Sequence, residues 1–472
     1  MKRVGRRSSV GSIGKGTPSP NRGDAVGGDH HLSAHKSHLG DFSSTNVDRR
    51  AFGLFMAFML AGCAHAPTPD ASPTAQETSK PSPPLTPIAN VTGPIPIEAT
   101  SCDNCREPTV AVDAQGRLFV TDGSPETLGV SLDGGATFQQ LPVPAVPSQV
   151  PSQGIADAIL QTGPDGRLYY SALVWQVLDA GGVLFQSAIH VASSADAGKT
   201  WDRNVLVESP LSADRQWLAF AGDGTVYLAW LHYAGRVTTA VSSVPLITGV
   251  WVSRSDDGGL SFGAPAQATS TETEGSGLCG QPVVDSAGRL VIPYMTYGYA
   301  QDAGAAAGVP LGLRLAVSAD GGRTFASRII YQRPDGHAVG IFPSLAIHGD
   351  ALALAWQDLD GHGAFMTSRD GGTTFSEPAQ WWGNASLPYS PWLLWQGNRL
   401  VVAWTEQLND TTLAAHMAVL GNATYDALLG LGHAPKGTRT SDFTHMALLP
   451  DGRAAVVWPD YDGHRILLAI AG

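Results

Sequence analysis

Two sets of chemically capable side chains recur at fixed places along this 472-residue chain. One set stands just ahead of an apolar, strand-like run: Arg106 and Glu107, Asp157, Asp214 and Arg215, Gln281, Arg333 and His337, Tyr389, and Asp442. The other stands just past the strand that follows: Asp122, Trp175, His232 and Tyr233, Tyr294 and Tyr297, Asp358, Glu406, and Asp460. Guanidinium groups grip carboxylates through paired N–H donors, carboxyl groups move protons, and aromatic faces pack on apolar ring faces. Gathered on one surface, such groups suit a sugar or a carboxylate-bearing ligand. Arg215, Asp214, Arg333, Asp157, His232 and Tyr294 are the expected ligand-binding set.

The elements that must position them come from an internal repeat. The unit Ser-x-Asp-x-Gly-x-Thr/Ser-aromatic occurs at 131–138, 194–201, 255–262, 318–325 and 368–375. It alternates with a second unit, an apolar strand, a Gly turn and another strand, found seven times: 108–122, 157–172, 216–230, 281–295, 343–356, 391–404 and 445–458. The flanks of each turn alternate with period 2, as half-buried hairpin strands do. Each repeat therefore reads as four strands, A to D, with a Gly turn between A and B and an Asp-bearing turn between C and D. Such meanders of about 50–60 residues suit a radial all-β propeller of four-stranded antiparallel blades. Seven blades are expected, with six or eight as alternatives because the sixth repeat has only a degenerate turn near Asn422. The last copy lacks a fourth strand, and residues 88–97 are expected to supply it. Meander geometry then puts the B–C and D–A connections, and with them both chemical sets, on one face. Loops there converge on the central channel.

The eight-residue unit resembles the Asp box of the BNR-repeat, sialidase-like propellers, and the resemblance covers roughly residues 88–472. It implies that the five Asp residues, at 133, 196, 257, 320 and 370, build turns rather than catalyse. It also implies three site residues. Sialidases grip a ligand carboxylate with an Arg in an Arg-Ile-Pro sequence, which Arg106-Glu107-Pro108 resembles with Glu in place of Ile. Their nucleophile is a Tyr in a Tyr-Ser pair, which Tyr389-Ser390 resembles. Arg106, Tyr389 and Glu406 are the catalytic candidates on this reading, which predicts an exo-sialidase or a related glycosidase.

Other motifs add less. Asp358 with Asp360, and Asp460 with Asp462, lie in two Trp-x-Asp-x-Asp-Gly-His runs that could ligate calcium, but both lack the later Glu of an EF-hand loop, and an ordinary tight turn is the simpler reading. No cofactor and no other metal is expected. Cys102 and Cys105 form a lone CxxC read as a local disulfide, with Cys105–Cys279 as the alternative; no second CxxC exists for zinc.

The N-terminal stretch reads as an address. Residues 47–62 have a charged start and a short apolar core, too short for the ~20 residues of a spanning helix. Leu60-Ala61-Gly62-Cys63 resembles a bacterial lipobox, which makes Cys63 the expected lipidation site. Residues 63–87 are a Pro/Thr/Ser tether, and residues 1–46 have no apolar periodicity and are expected to be a disordered extension ahead of a true start near Val47. The first 62 residues hold nine basic and four acidic side chains of the chain's 29 and 41, which leaves the remainder at a net −17 and sets nucleic acid aside as a partner.

The sequence thus points to an exported, lipid-anchored monomer of the bacterial cell envelope, outer-membrane by family analogy, periplasmic or surface-exposed. It touches the membrane through its lipid alone, with a propeller at 88–472 that binds a glycan, glycoconjugate or protein on its loop face. Glycoside hydrolysis through a Tyr nucleophile is one alternative, and a non-catalytic envelope scaffold is the other.

Overall fold

The protein is seen in a computed structural model that describes Ile88 and residues 90–97, 107–123, 127–147, 154–177, 185–207, 212–238, 243–269, 275–299, 308–332, 343–357, 362–382, 388–421, 425–434 and 444–472. Every regular element among them is a β-strand, and the strands form seven antiparallel sheets. Blade 1 runs β2 (Thr109–Val112), β3 (Leu118–Thr121), β4 (Gly129–Ser131), β5 (Gln139–Gln140), in chain order from the inside out. Blades 2, 3, 5 and 6 repeat that order, and their first strands are β6 (Gly154–Thr162), β10 (Ser212–Phe220), β19 (Ser344–His348) and β23 (Pro388–Gln396). Blade 7 is built from β27 (His445–Leu448), β28 (Ala454–Asp460) and β29 (Arg465–Ala471), and its outer strand is β1 (Thr92–Ile97) from the other end of the chain. The ring is therefore closed by pairing the two ends, with Ile97 opposite Ile466.

Blade 4 departs from the pattern. Its first strand is split into β14 (Gly275–Cys279) and β15 (Val283–Val284), both paired to β16 (Leu290–Tyr299). Pro282 lies in the break and has no N–H to give a ladder. At Gly280 a Cβ would stand 1.9 Å from the Pro343 carbonyl oxygen, so the neighbouring blade leaves room for glycine alone.

First strands of successive blades share no ladder, so side chains stitch them. His445 Nδ1 accepts from Val110 N–H at 3.3 Å, and Thr109 Oγ1 accepts from Leu160 N–H at 3.1 Å. Gln161 gives and takes at Leu218, each bond 2.9 Å, and Ser344 Oγ accepts from Leu393 N–H at 2.9 Å. Each bond satisfies a buried backbone group that the blade itself leaves open. Between blades the facing sheets bury the core, in which Trp230, Trp356, Trp404 and Trp458 are fully enclosed at the end of the second strand.

The five Ser-x-Asp-x-Gly turns share one hydrogen-bond plan. Each Ser Oγ donates to its Asp Oδ1 and accepts a glycine N–H, at Gly135, Gly198, Gly259, Gly322 and Gly372, at 2.7–2.9 Å. Each Asp also takes the N–H and the hydroxyl of the Thr or Ser four residues on. Those donors favour the charged form. They hold Asp133 and Asp196 at about 2, and at Asp257 they together outweigh desolvation, the largest single influence there, so that it too sits at about 2. Phe138, Trp201, Phe262, Phe325 and Phe375 end the turns and pack on the cores. These turns and the A–B turns lie on the face opposite the mouth formed by the B–C and D–A connections.

Candidate functional site

Three first strands carry the same irregularity near the mouth. In β6, β10 and β23 the pairing slips between Ala156 and Ile159, between Asp214 and Trp217, and between Tyr389 and Trp392. Inside each slip sits a left-handed residue that is not glycine: Asp157 (φ 53°), Arg215 (φ 53°) and Ser390 (φ 47°). A side chain in that conformation costs about 1–2 kcal/mol, and it persists only where surrounding structure fixes it, commonly where function needs it.

The fixing contacts are visible. Asp214 Oδ1 accepts the Arg215 N–H at 2.8 Å, and Gln216 Nε2 donates to the Asp157 carbonyl at 2.5 Å and to the Ser171 carbonyl at 3.3 Å. Ala158 N–H donates to the Gly123 carbonyl at 3.0 Å, tying the second bulge to blade 1. Gly123 is itself left-handed (φ 85°), and a Cβ there would stand 3.0 Å from Glu107 Cβ. That close approach brings Glu107 into the group.

The result is three carboxyl groups around one guanidinium. Arg215 Nη1 donates to Glu107 Oε1 at 2.6 Å, and both side chains are largely buried. Asp157 hydrogen-bonds to Glu107, and burial, followed by the charges of Glu107 and Asp214, pushes its carboxyl well above the usual carboxylate range, with Arg215 pulling the other way. Asp157 is therefore biased toward its protonated form. Its Oδ2 is buried and has no hydrogen-bond partner among the described residues. A carboxyl biased toward its neutral form beside other carboxyl groups is an arrangement that lets one site hold a proton donor and a base together.

Below this group aromatic rings from three blades pack together. Trp217 of blade 3 and Trp392 of blade 6 meet across the axis with centroids 5.2 Å apart. His445 of blade 7 lies 4.0 Å from Trp392 and stacks parallel to Trp217 at 6.1 Å. All three are buried, and they form a floor beneath the mouth. Burial lowers the His445 ring to about 3, which keeps it neutral and its Nδ1 free to accept from Val110.

No family model matches the chain, and no curated protein does. Several solved structures are similar. A protein of unknown function from Dyadobacter fermentans has 15% identity and a TM-score of 0.49 over 81% of this chain and 99% of that one. The intramolecular trans-sialidase from Ruminococcus gnavus has 12% identity and a TM-score of 0.43 over 68% and 94%. An α-L-arabinofuranosidase of Fusarium graminearum has 13% identity and a TM-score of 0.45 over 81% and 98%. At this level of similarity the activities of those proteins remain theirs alone.

The other expected site residues fall in several places. His232, lowered by burial, packs on Trp251 at 5.0 Å in blade 3. Tyr294 is buried in the inter-blade core with its hydroxyl on Ser327 Oγ. Glu406 stands opposite Pro388, while the partner of Tyr389 is Thr405. The Glu406 carboxylate lies 3.2 Å from His416 Nε2, beside a cluster of Trp381, Trp382 and Trp404 that packs ring on ring between blades 5 and 6. Asp460 gives one oxygen to His433 and the other to Arg465. Among the described residues no group of three or more His, Cys, Asp or Glu could hold a metal. Cys63, Cys102, Cys105, Arg106, Arg333, Asp358, Asp360 and the side chains of Cys279 and Tyr389 lie outside the described residues.

Gln216 and the Trp217–Trp392–His445 floor were not read from the sequence. The signal was there: three of the seven first strands carry Trp217, Trp392 or His445 four residues before their A–B turns, which a column-by-column comparison of the copies exposes.

Proposed function

We propose that the protein cleaves a glycosidic bond at the mouth, with the Asp157–Glu107 pair as its acid. The observation that carries this is Asp157: a buried carboxyl between two acidic neighbours that bias it toward its protonated form, on strained backbone, with one buried oxygen unpartnered. In that reaction the pair passes its proton to the departing glycosidic oxygen. Water adds at the anomeric carbon, and its proton goes to a carboxylate, for which Asp214 is the neighbour at hand. The aromatic floor excludes water from below and gives the sugar's apolar face a surface.

A sialidase-like reading stands second, on one observation. Tyr389 directly precedes the left-handed Ser390, as Asp214 directly precedes Arg215, and the two strands meet through Trp392 and Trp217. That supports Tyr389 as a mouth residue and a nucleophile, with Arg106 as the carboxylate grip. One assay separates the two. The full-length protein is offered a panel of fluorogenic glycosides that includes a sialoside, beside Asp157→Asn and Tyr389→Phe. Neutral glycosides cleaved, with a loss of at least a hundredfold in Asp157→Asn, support the carboxyl pair. Sialoside cleavage that vanishes in Tyr389→Phe supports the second reading, and no release from any substrate removes both in favour of a binding propeller.

We propose also that export and lipidation at Cys63 tether the propeller to a bacterial envelope. Cys63→Ala is then expected in the soluble fraction, and an unchanged membrane fraction counts against the tether.

A further inference from the structure

A second feature of the mouth face lies at its rim, away from the bulges. Between blades 6 and 7 is a cleft of about 550 Å³, within the size range of small-molecule sites. Its walls are the end of β26 (Tyr425–His433), the turn at Thr411 and Thr412, the start of β29 and the outer strand β1. At its base Asp460, with a side chain 2% exposed, accepts three bonds: from His433 N–H at 2.7 Å, from His433 Nδ1 at 2.6 Å and from Arg465 Nε at 3.0 Å.

Those bonds fix orientation. Asp460 takes one edge of the His433 ring and one edge of the Arg465 guanidinium, both of which remain partly exposed. The opposite edges, His433 Nε2 and the two terminal nitrogens of Arg465, have no partner among the described residues. A guanidinium held by Nε and open at both terminal nitrogens is a preset fork for a carboxylate. The other wall is apolar: Pro94, Pro96 and a half-exposed Leu431. Thr411 and Thr412 add hydroxyls between the two walls. An anion alone would gain nothing from the Pro-Leu wall, and a neutral sugar would gain nothing from the fork.

We infer that this cleft is a second saccharide site, selective for a sugar that carries a carboxylate. The carboxylate seats on the terminal nitrogens of Arg465, with the His433 ring beside it, and the C–H face of the sugar lies on Pro94, Pro96 and Leu431. The chain's net charge of −12 repels such a ligand at long range, so recognition rests on these short contacts.

Calorimetry on the full-length protein tests it, with trigalacturonate as probe and its fully methyl-esterified form as the neutral control, both in the Asp157→Asn background so that the mouth does not consume them. The acid form is expected to bind at least tenfold more tightly than the ester. Arg465→Gln is expected to weaken it at least tenfold. Leu431→Glu, a change at an exposed position that leaves the Asp460 contacts in place, is expected to do the same in a protein of unchanged thermal midpoint. Equal affinity for acid and ester, no heat with either, or full binding by Leu431→Glu overturns the inference. None of these results bears on glycoside cleavage at the mouth, which the Asp157→Asn assay decides by itself.

Discussion

Arg215 of blade 3 reaches past blade 2 to Glu107 at the start of blade 1, with Nη1 2.6 Å from Oε1. A bond that skips a blade crosses the mouth, and it couples blades 1 and 3 through one ion pair. Removing only the cation leaves Glu107 buried beside Asp157 and Asp214. Arg215→Met is therefore expected to cost about 3–5 kcal/mol, and the double variant Arg215→Met with Glu107→Leu to recover much of it. Urea midpoints of the two singles and the double measure the coupling. Additive losses would show that the pair is not coupled.

Ala197 occupies the left-handed place (φ 64°) that Gly134, Gly258, Gly321 and Gly371 fill in the other four Ser-x-Asp-x-Gly turns. Ala197→Gly removes a Cβ from that conformation at some cost in chain entropy. A net gain of about 0.5–1 kcal/mol is expected from chemical denaturation.

His445 is held neutral in the fold, at about 3, against an unfolded value near 6.5. The unfolded chain takes up a proton that the fold refuses, so stability is full above about pH 6.5 and falls as pH drops toward 3. The slope is at most about 1.4 kcal/mol per pH unit for one such group. His445→Asn keeps an acceptor for Val110 and does not titrate. Its stability–pH curve is expected to be flatter over that window, with the residual slope left to His190 and His232, which burial also lowers.

The turn carboxylates act at lower pH. The folded values of Asp133, Asp196 and Asp257 lie near 2 and their unfolded values near 4. What they contribute is present above about pH 4 and is lost as pH falls through about 2. Thermal midpoints of Asp196→Asn and the parent protein are expected to differ above pH 4 and to converge toward pH 2.

The fold was legible because its evidence is local. Turn glycines, period-2 strands and the Ser-x-Asp-x-Gly turns repeat within about 60 residues, and seven copies with a split last blade describe the ring that forms. The break at Pro282 could have been anticipated from proline alone. The site was legible in position only. Asp157, Asp214 and Arg215 were placed at the mouth by their order in the repeat, but their contacts were not, because the Glu107–Arg215 ion pair spans 108 residues and exists only once the ring closes. Glu406 shows the other gap. Register sets which face of a strand a side chain takes, and the slip between Tyr389 and Trp392 pairs Tyr389 with Thr405 rather than Glu406.

β1 does more than complete blade 7. As a fourth strand it runs from the Asp-turn side at Thr92 to the mouth side at Ile97, so the chain enters the propeller on the face that bears no ligand groups. The mouth and the rim cleft therefore lie at the opposite end of β1 from the point where the chain enters it.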